Sequence, residues 1–492
     1  MSNEMKDKDQ HHDQHHYQHH DQLEKYRPIY HYTPKNAWMN DPNGMVYLNG
    51  TYHLCYQYHP HSSVWGPMHW GHTISTDLIH WHEQDIALYP DSLGTIFSGS
   101  AVIDKHNSAG FGTGAMVAIF THHDDEEEKK KTGLHETQSL AFSLDQGVTW
   151  TKYEGNPVLP NPGISDFRDP KVMWLQSSEK WIMTLATKDC ITFYSSKNLK
   201  QWNRESEFGK NIGAHGGVWE CPDLIPMDHN GETKWVLLVS INPGGPNGGS
   251  VTQYFVGDFD GNQFKSDDND IRWLDWGQDN YAGVTWSNID DRVLMIGWMS
   301  NWDYANQVPT TRWRSACTIP RTLSLKQIDQ KFYVASAPAK EIENAFKSIK
   351  NYTPTESNEL LLNQNIPQAF HLEVSKLKIQ NCKVIISNSV GNELIVGFDQ
   401  AENVYYIDRS KSGETSFSDL FSDKGFATRL GNDDCLSLSL YFDVSSVELF
   451  ADGGLTTMTS LFFPNEPMTQ IRIVGENNLE FEDVTLAIFD KN

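Results

Sequence analysis

The sequence predicts an all-β protein, a five-bladed β-propeller followed by a C-terminal β-sandwich, on three observations. Between about residues 28 and 325 the chain is cut into short runs of alternating apolar and polar residues, such as Tyr52-His53-Leu54-Cys55-Tyr56-Gln57-Tyr58 and Lys234-Trp235-Val236-Leu237-Leu238-Val239-Ser240. That period is the signature of half-buried strands. A turn phrase ending on an aromatic then recurs: Ser75-Thr76-Asp77-Leu78 before Trp81, Ser143-Leu144-Asp145-Gln146-Gly147 before Trp150, Ser196-Lys197-Asn198-Leu199 before Trp202, and Gly257-Asp258-Phe259-Asp260-Gly261 before Phe264. Its acidic or Asn positions lie about 50 to 70 residues apart, the length of a four-stranded sheet with its loops, and no long helical pattern intervenes. The four phrases and the Trp38–Tyr58 stretch together suggest five blades. A double-layered all-β enzyme of another topology is the alternative.

In chain order, residues 1–26 are polar and carry His11-His12, His15-His16 and His19-His20 in a four-residue period, which predicts a disordered segment without an ordered metal site. The propeller is expected over 27–325. A linker with a short helix around Pro338–Ala345 is expected over 326–345. From 346 to 492 the strand rhythm resumes without tryptophan, in His371–Val374, Leu394–Phe398, Val404–Ile407, Leu436–Leu440 and Ser446–Phe450. These short alternating runs suggest a sandwich.

A formal charge of -25 argues against nucleic acid and anionic membranes as partners and suits a neutral substrate. No stretch approaches the roughly 18 to 20 apolar residues needed to span a bilayer. The six cysteines are dispersed with no CxxC pair, and the N-terminus lacks an apolar signal core. As written, the chain reads as cytoplasmic; a mature secreted form would read the same way.

Three carboxylates stand in unusually defined settings. Asp41 lies in Trp38-Met39-Asn40-Asp41-Pro42-Asn43-Gly44, where Pro fixes φ, Gly accepts positive φ and Asn bonds nearby backbone. Asp169 lies in Phe167-Arg168-Asp169-Pro170, and Glu220 in Trp219-Glu220-Cys221-Pro222-Asp223. A propeller brings the starts of its innermost strands to one axial funnel, so acids far apart in sequence can meet. Two facing carboxylates suffice for glycoside hydrolysis, one as nucleophile and one as acid then base, and a third can hold sugar hydroxyls.

These motifs, with Gln57-Tyr58, Trp65-Gly66-Pro67-Met68-His69-Trp70-Gly71-His72 and Phe97-Ser98-Gly99-Ser100 in the same order, resemble glycoside hydrolase family 32, the invertases, inulinases and levanases. The resemblance continues into the sandwich at Asp443–Phe450. It implies the same propeller and sandwich, with Asp41 as nucleophile, Glu220 as acid/base and Asp169 as transition-state stabiliser. It further implies that Asn40, Gln57 and Arg168 hydrogen-bond fructose, that Trp65, Phe97 and Trp302 wall the pocket, and that Ser98 makes a polar contact. No cofactor and no metal are implied. His69 and His72 are expected to bond structurally, and Cys221 to pack beside the acid/base or tune it. Glu220 is expected to carry a raised pKa while Arg168 keeps nearby acids ionised.

Within the family, Gly297–Thr310 and Asp279-Asn280-Tyr281-Ala282 resemble exo-acting fructanases, although Asn280 stands where an aromatic is common. Release of terminal β-fructose from sucrose and inulin- or levan-type chains is therefore expected. The rivals are fructosyl transfer, sucrose-6-phosphate hydrolysis and a non-catalytic carbohydrate-binding propeller. The sandwich is expected to buttress the propeller and to offer a surface for a homodimer.

Overall fold

The computed structural model describes residues 24–354, 356–363, 366–421 and 424–490. All but the last three residues of the His-rich segment lie outside these, so its expected disorder does too. Five antiparallel sheets follow one another along the chain. Their innermost strands are Ala37–Leu48, Thr95–Asp104, Phe167–Leu175, Val218–His229 and Tyr281–Thr285, in blades I to V. Each touches the next, and Tyr281–Thr285 returns to touch Ala37–Leu48, which closes the ring of a five-bladed propeller. Closure is reinforced where Trp313–Arg314, reached through blade V, pairs in parallel with Ala37 and Trp38.

The recurring phrase builds the outer turn of blades I to IV. Ser75 Oγ accepts the N–H of Asp77 and Leu78, the Asp77 carboxylate accepts those of Ile79 and His80, and Leu78 sits at φ 64°. Ser196, Asn198 and Leu199 repeat this arrangement, and the indoles of Trp81 and Trp202 donate to the carbonyls of Leu78 and Leu199. Side-chain oxygens thus satisfy backbone donors that the ladder cannot reach.

Two expectations about boundaries change. The Trp38–Tyr58 stretch belongs to the same sheet as the Ser75–Trp81 phrase, so it is not a blade of its own; the fifth blade is formed by Tyr281–Thr285, Val293–Met299, Arg321–Ile328 and Lys331–Pro338. The segment 326–345 is accordingly no simple linker. A two-residue turn with Asp329 and Gln330 both at positive φ joins the last two strands of blade V, whose pairing runs from Ile328 opposite Lys331 to Arg321 opposite Pro338. Such a turn matches the twist of its strands, and it lacks the usual Asn-Gly signature. A one-turn helix, Lys340–Asn344, then leads into the second domain.

Two six-stranded antiparallel sheets make the sandwich. Their inner faces pack Phe370, Leu372, Leu440, Ile386, Ile471 and Leu486 into one core. Against the propeller the sandwich sets apolar side chains, among them Phe346, Tyr441, Phe450 and Phe463, around a set of buried charges. His31, at the propeller's entry, is buried with Nδ1 2.8 Å from Asp443 and Nε2 2.8 Å from Glu448. Glu448 also receives the Arg321 guanidinium of blade V, and Arg321 reaches Asp275 at 2.8 Å. Burial alone would push the His31 imidazole down, but the two carboxylates outweigh it and raise it to about 9.

A base held above its unfolded pKa stabilises the fold fully below that unfolded value and ceases to do so as pH rises through the folded one. His31 should therefore contribute up to about 3 kcal/mol below pH ~6.5, lost on approaching pH 9. Thermal unfolding of the wild type should weaken across that window, and His31→Gln should flatten the dependence. Arg321→Met, which leaves Asp275 without its cation and Glu448 with His31 alone, should cost about 3–5 kcal/mol by denaturant titration.

Candidate active site

Every innermost strand is interrupted near its start. Pairing with the neighbouring strand skips between Met39 and Pro42 in blade I, Ile96 and Gly99 in II, Arg168 and Lys171 in III, Glu220 and Asp223 in IV, and Tyr281 and Val284 in V. A bulge releases residues from the ladder and re-aims their side chains. The released residues include Asp41, Ser98, Asp169 and Cys221, while Glu220 and Tyr281 are the last paired residues before the gap. Pro170 and Pro222 occupy released positions, where a missing N–H costs no ladder bond. Asp169, Cys221 and Ala282 take φ of 64°, 46° and 53°. Such left-handed conformations in non-glycine residues store strain that the surrounding fold must hold.

Glycine answers two close approaches beside these bulges. A Cβ on Gly99 would stand 2.1 Å from the Ile119 carbonyl oxygen, and one on Gly44, at φ 52°, would stand 2.7 Å from the Trp70 ring. Gly99 N–H donates to Asn43 Oδ1 at 3.0 Å, which fastens blade II to the Asp41 turn.

All ten residues singled out in the sequence line one cavity of about 460 Å³: Asp41, Asp169, Glu220, Asn40, Gln57, Trp65, Phe97, Ser98, Arg168 and Trp302. Asp41 accepts from Ser98 Oγ at 2.7 Å and Asn40 Nδ2 at 3.0 Å, and Asn40 is itself fixed by the Trp38 indole at 2.8 Å. Asp169 accepts the Cys221 N–H at 2.9 Å. The Cys221 thiol lies 3.5 Å from Asp41 and 3.6 Å from Asp169, wedged between the two carboxylates. Burial and these anions push its pKa far up, so it stays a thiol. Gln57 donates to the Ile96 carbonyl at 3.0 Å. Trp65 is 44% exposed and meets Phe97 edge-on, while Trp302 packs against Trp38 and Trp298. His69 and His72 bond to the Pro67 carbonyl and to His53 respectively.

Arg168 organises the acids. Its guanidinium donates to Glu220 at 3.0 and 3.2 Å, to Glu136 at 3.2 Å and to Asp166 at 2.7 Å. Burial raises Glu220, with Asp41 adding repulsion, although Arg168 and the hydroxyl of Tyr281, which donates to Glu220, both pull the other way. Burial also raises Asp169, to about 8, against the pull of Arg168 and with Glu220 and Asp41 adding repulsion. The cluster therefore retains a proton in the range where an isolated carboxylate would have lost it. Burial would raise Glu136 as well, but Arg168, His123 and the Phe167 N–H hold it low.

Sequence reading missed Tyr281, Glu136, Asp166, His123 and His135. Tyr281 appeared only in a motif compared with other fructanases. The others carry no Pro or turn signature, and their signal is their position: Glu136 starts the third strand of blade II, and His123 ends the second.

Residues 31–336 match the Glycosyl hydrolases family 32 N-terminal domain, and residues 339–488 match the Glycosyl hydrolases family 32 C terminal. The chain belongs to glycosyl hydrolases family 32. Levanase of Bacillus subtilis is 46% identical over 92% of this chain and 69% of its own length. An extracellular exo-inulinase of Aspergillus awamori is 38% identical over 94% of both chains, and an invertase of Debaryomyces hansenii 35% identical over 95% of this chain and 93% of its own. Among solved structures, the Aspergillus awamori exo-inulinase superposes with a TM-score of 0.84 at 35% identity, covering 94% of this chain and 98% of its own. A Schwanniomyces occidentalis β-fructofuranosidase complexed with fructosyl-erythritol superposes with a TM-score of 0.87 at 34% identity, covering 95% and 99%. This family 32 protein is a glycoside hydrolase, and among its described residues no helix is long and apolar enough to cross a membrane.

Tyr281→Phe removes a donor that favours the ionised form of Glu220. The alkaline limb of this glycosidase's pH–rate profile should consequently move up by about one unit, as expected for a hydrogen bond to a charged group. An unshifted limb would disconnect Tyr281 from the titrating acid.

Proposed function

We propose that the chain is a retaining, exo-acting β-fructosidase that releases terminal β-D-fructofuranosyl units from sucrose and from inulin- or levan-type fructans. The observation that carries this reading is the meeting of three carboxylates from blades I, III and IV in one cavity. Asp41, steadied by Ser98 and Asn40, attacks the anomeric carbon as a carboxylate. Glu220 gives its proton to the departing glycosidic oxygen, so the C–O bond breaks as the fructosyl ester forms. In the second half, Glu220 removes a proton from water, the water oxygen attacks the anomeric carbon, and Asp41 leaves again as a carboxylate.

Asp169 holds fructose hydroxyls and strengthens that hold as the ring gains oxocarbenium character. The Cys221 N–H and the bulge fix its carboxylate before substrate arrives. Asn40, Gln57 and Arg168 complete the polar lining, with Trp65, Phe97 and Trp302 against the apolar faces of the sugar. A phosphorylated substrate suits this lining less well: Arg168 is the sole Lys or Arg among the described lining residues, and it already faces Glu136, Asp166 and Glu220. Burial raises Glu220 against the pull of that guanidinium, so the alkaline limb reports Glu220.

Chromatography of early products from sucrose, inulin, levan and sucrose 6-phosphate checks the substrate class. Fructose alone should appear first from the fructans; early short oligosaccharides would mean internal cleavage, and longer ones transfer. In aqueous methanol, retention predicts methyl β-fructoside, whereas the α-anomer would refute the ester intermediate. Asp41→Ala should lower kcat by about 10⁴-fold or more, and Glu220→Gln by about 10²–10⁴-fold with loss of the alkaline limb. Near-normal turnover by Asp41→Ala would defeat the mechanism.

A further inference from the structure

One wall of the cavity carries side chains that the proposed hydrolysis does not use. His123, His135 and Glu136 each offer a ligand atom, and the three atoms lie within 4.8 Å of one another. All three residues are buried and all line the cavity. His135 is only 9% exposed, yet its Nδ1 is buried without a hydrogen-bond partner. An orphaned imidazole nitrogen beside a second imidazole and a carboxylate is costly in an apoprotein and is what a borderline-soft cation binds. Asp125 and Glu128 approach His123 Nε2 to 3.4 Å from the rim and add negative charge. Opposing them is Arg168, which holds Glu136 at 3.2 Å.

We propose that His123, His135 and Glu136 form a binding site for a divalent transition-metal ion of the Zn²⁺ class in the wall of the catalytic cavity. Two imidazoles and one carboxylate favour such an ion over Mg²⁺ or Ca²⁺, which prefer all-oxygen shells. Three protein ligands leave one tetrahedral position for water. The ion has no part in bond cleavage. Its reach into the active site runs along two contacts: the His123 ring stacks on Phe97 at 4.2 Å, and Glu136 shares Arg168 with Glu220. Drawing Glu136 toward a metal shifts Arg168 toward Glu220 and favours the ionised form of the acid. Occupancy should thus inhibit turnover.

The test reads binding without substrate, so it stands apart from the fructosidase assignment. The six N-terminal histidines at 11, 12, 15, 16, 19 and 20 are first replaced by Ser in the full chain, which removes their competing donors. Equilibrium dialysis against ZnCl₂ should then show one bound ion per chain, and Co²⁺ should give the visible absorption of a low-coordinate site. His135→Ala in that background should weaken Zn²⁺ binding by about 100-fold or more, since even outer-shell partners are worth about 10–100-fold. Glu136→Gln serves as a second ligand variant should His135→Ala fail to fold. No Zn²⁺ bound by the background protein, or binding unchanged in a folded ligand variant, overturns the site. Inhibition by Zn²⁺ should follow the same concentration dependence as binding, and inhibition that survives loss of binding would overturn the link to Glu220.

Discussion

Ring closure is the constraint from which the rest follows. Five inner strands that touch in a cycle must run side by side down one axis, so their first residues crowd a single mouth. Regular pairing there would point alternate side chains into the flanking blades and leave the mouth lined mainly by backbone. The bulge near each strand's start resolves the conflict, since residues freed from the ladder can turn toward the axis. Asp41, Ser98, Asp169, Glu220 and Tyr281 come from the five blades in turn, and no pair of them is close in sequence. Positive φ at Asp169 and Cys221 is the local cost of that re-aiming.

Charge sets the second constraint. Asp41, Asp169, Glu220, Glu136 and Asp166 all face one small cavity, and a cluster of ionised carboxylates out of water repels itself strongly. Arg168 relieves this by dividing one guanidinium among Glu136, Asp166 and Glu220. The relief is partial, because one cation cannot neutralise all the acids around it, and burial further favours keeping a proton among them. A buried thiol between Asp41 and Asp169 fits the same logic, being small, weakly polar and uncharged where another carboxylate or amide would add repulsion or demand more partners.

How much of this could be read from the chain depended on where the backbone needed special residues. Asp41, Asp169 and Glu220 were legible because Pro, Gly and Asn mark the turns and bulges beside them. Tyr281 occupies the same place in blade V, but Ala282-Gly283 carries no proline, so its bulge left no comparable trace. Glu136 and His123 belong to regular strands whose alternation says which face they occupy and not which neighbour they meet. The number of blades was right although its assignment was not, since the repeated phrase marks outer turns of four blades and the fifth uses Asp329-Gln330 in place of an Asx turn. The same unmarked turn hid the outermost strand of blade V and put the expected linker too early.

The buried charges between propeller and sandwich have a consequence for how such a chain can be inherited. His31, Asp275 and Arg321 lie on one side of the division at about residue 338, and Glu448, Asp443 and Thr459 on the other, all buried and each bonded across it. Cutting the gene there would expose charged groups that had no reason to be soluble partners of anything else, and joining either half to a foreign module would leave them buried and alone. The two segments are therefore constrained to travel together through recombination. A catalytic propeller of this type cannot discard its sandwich cheaply, even though none of the described residues lining the cavity comes from it.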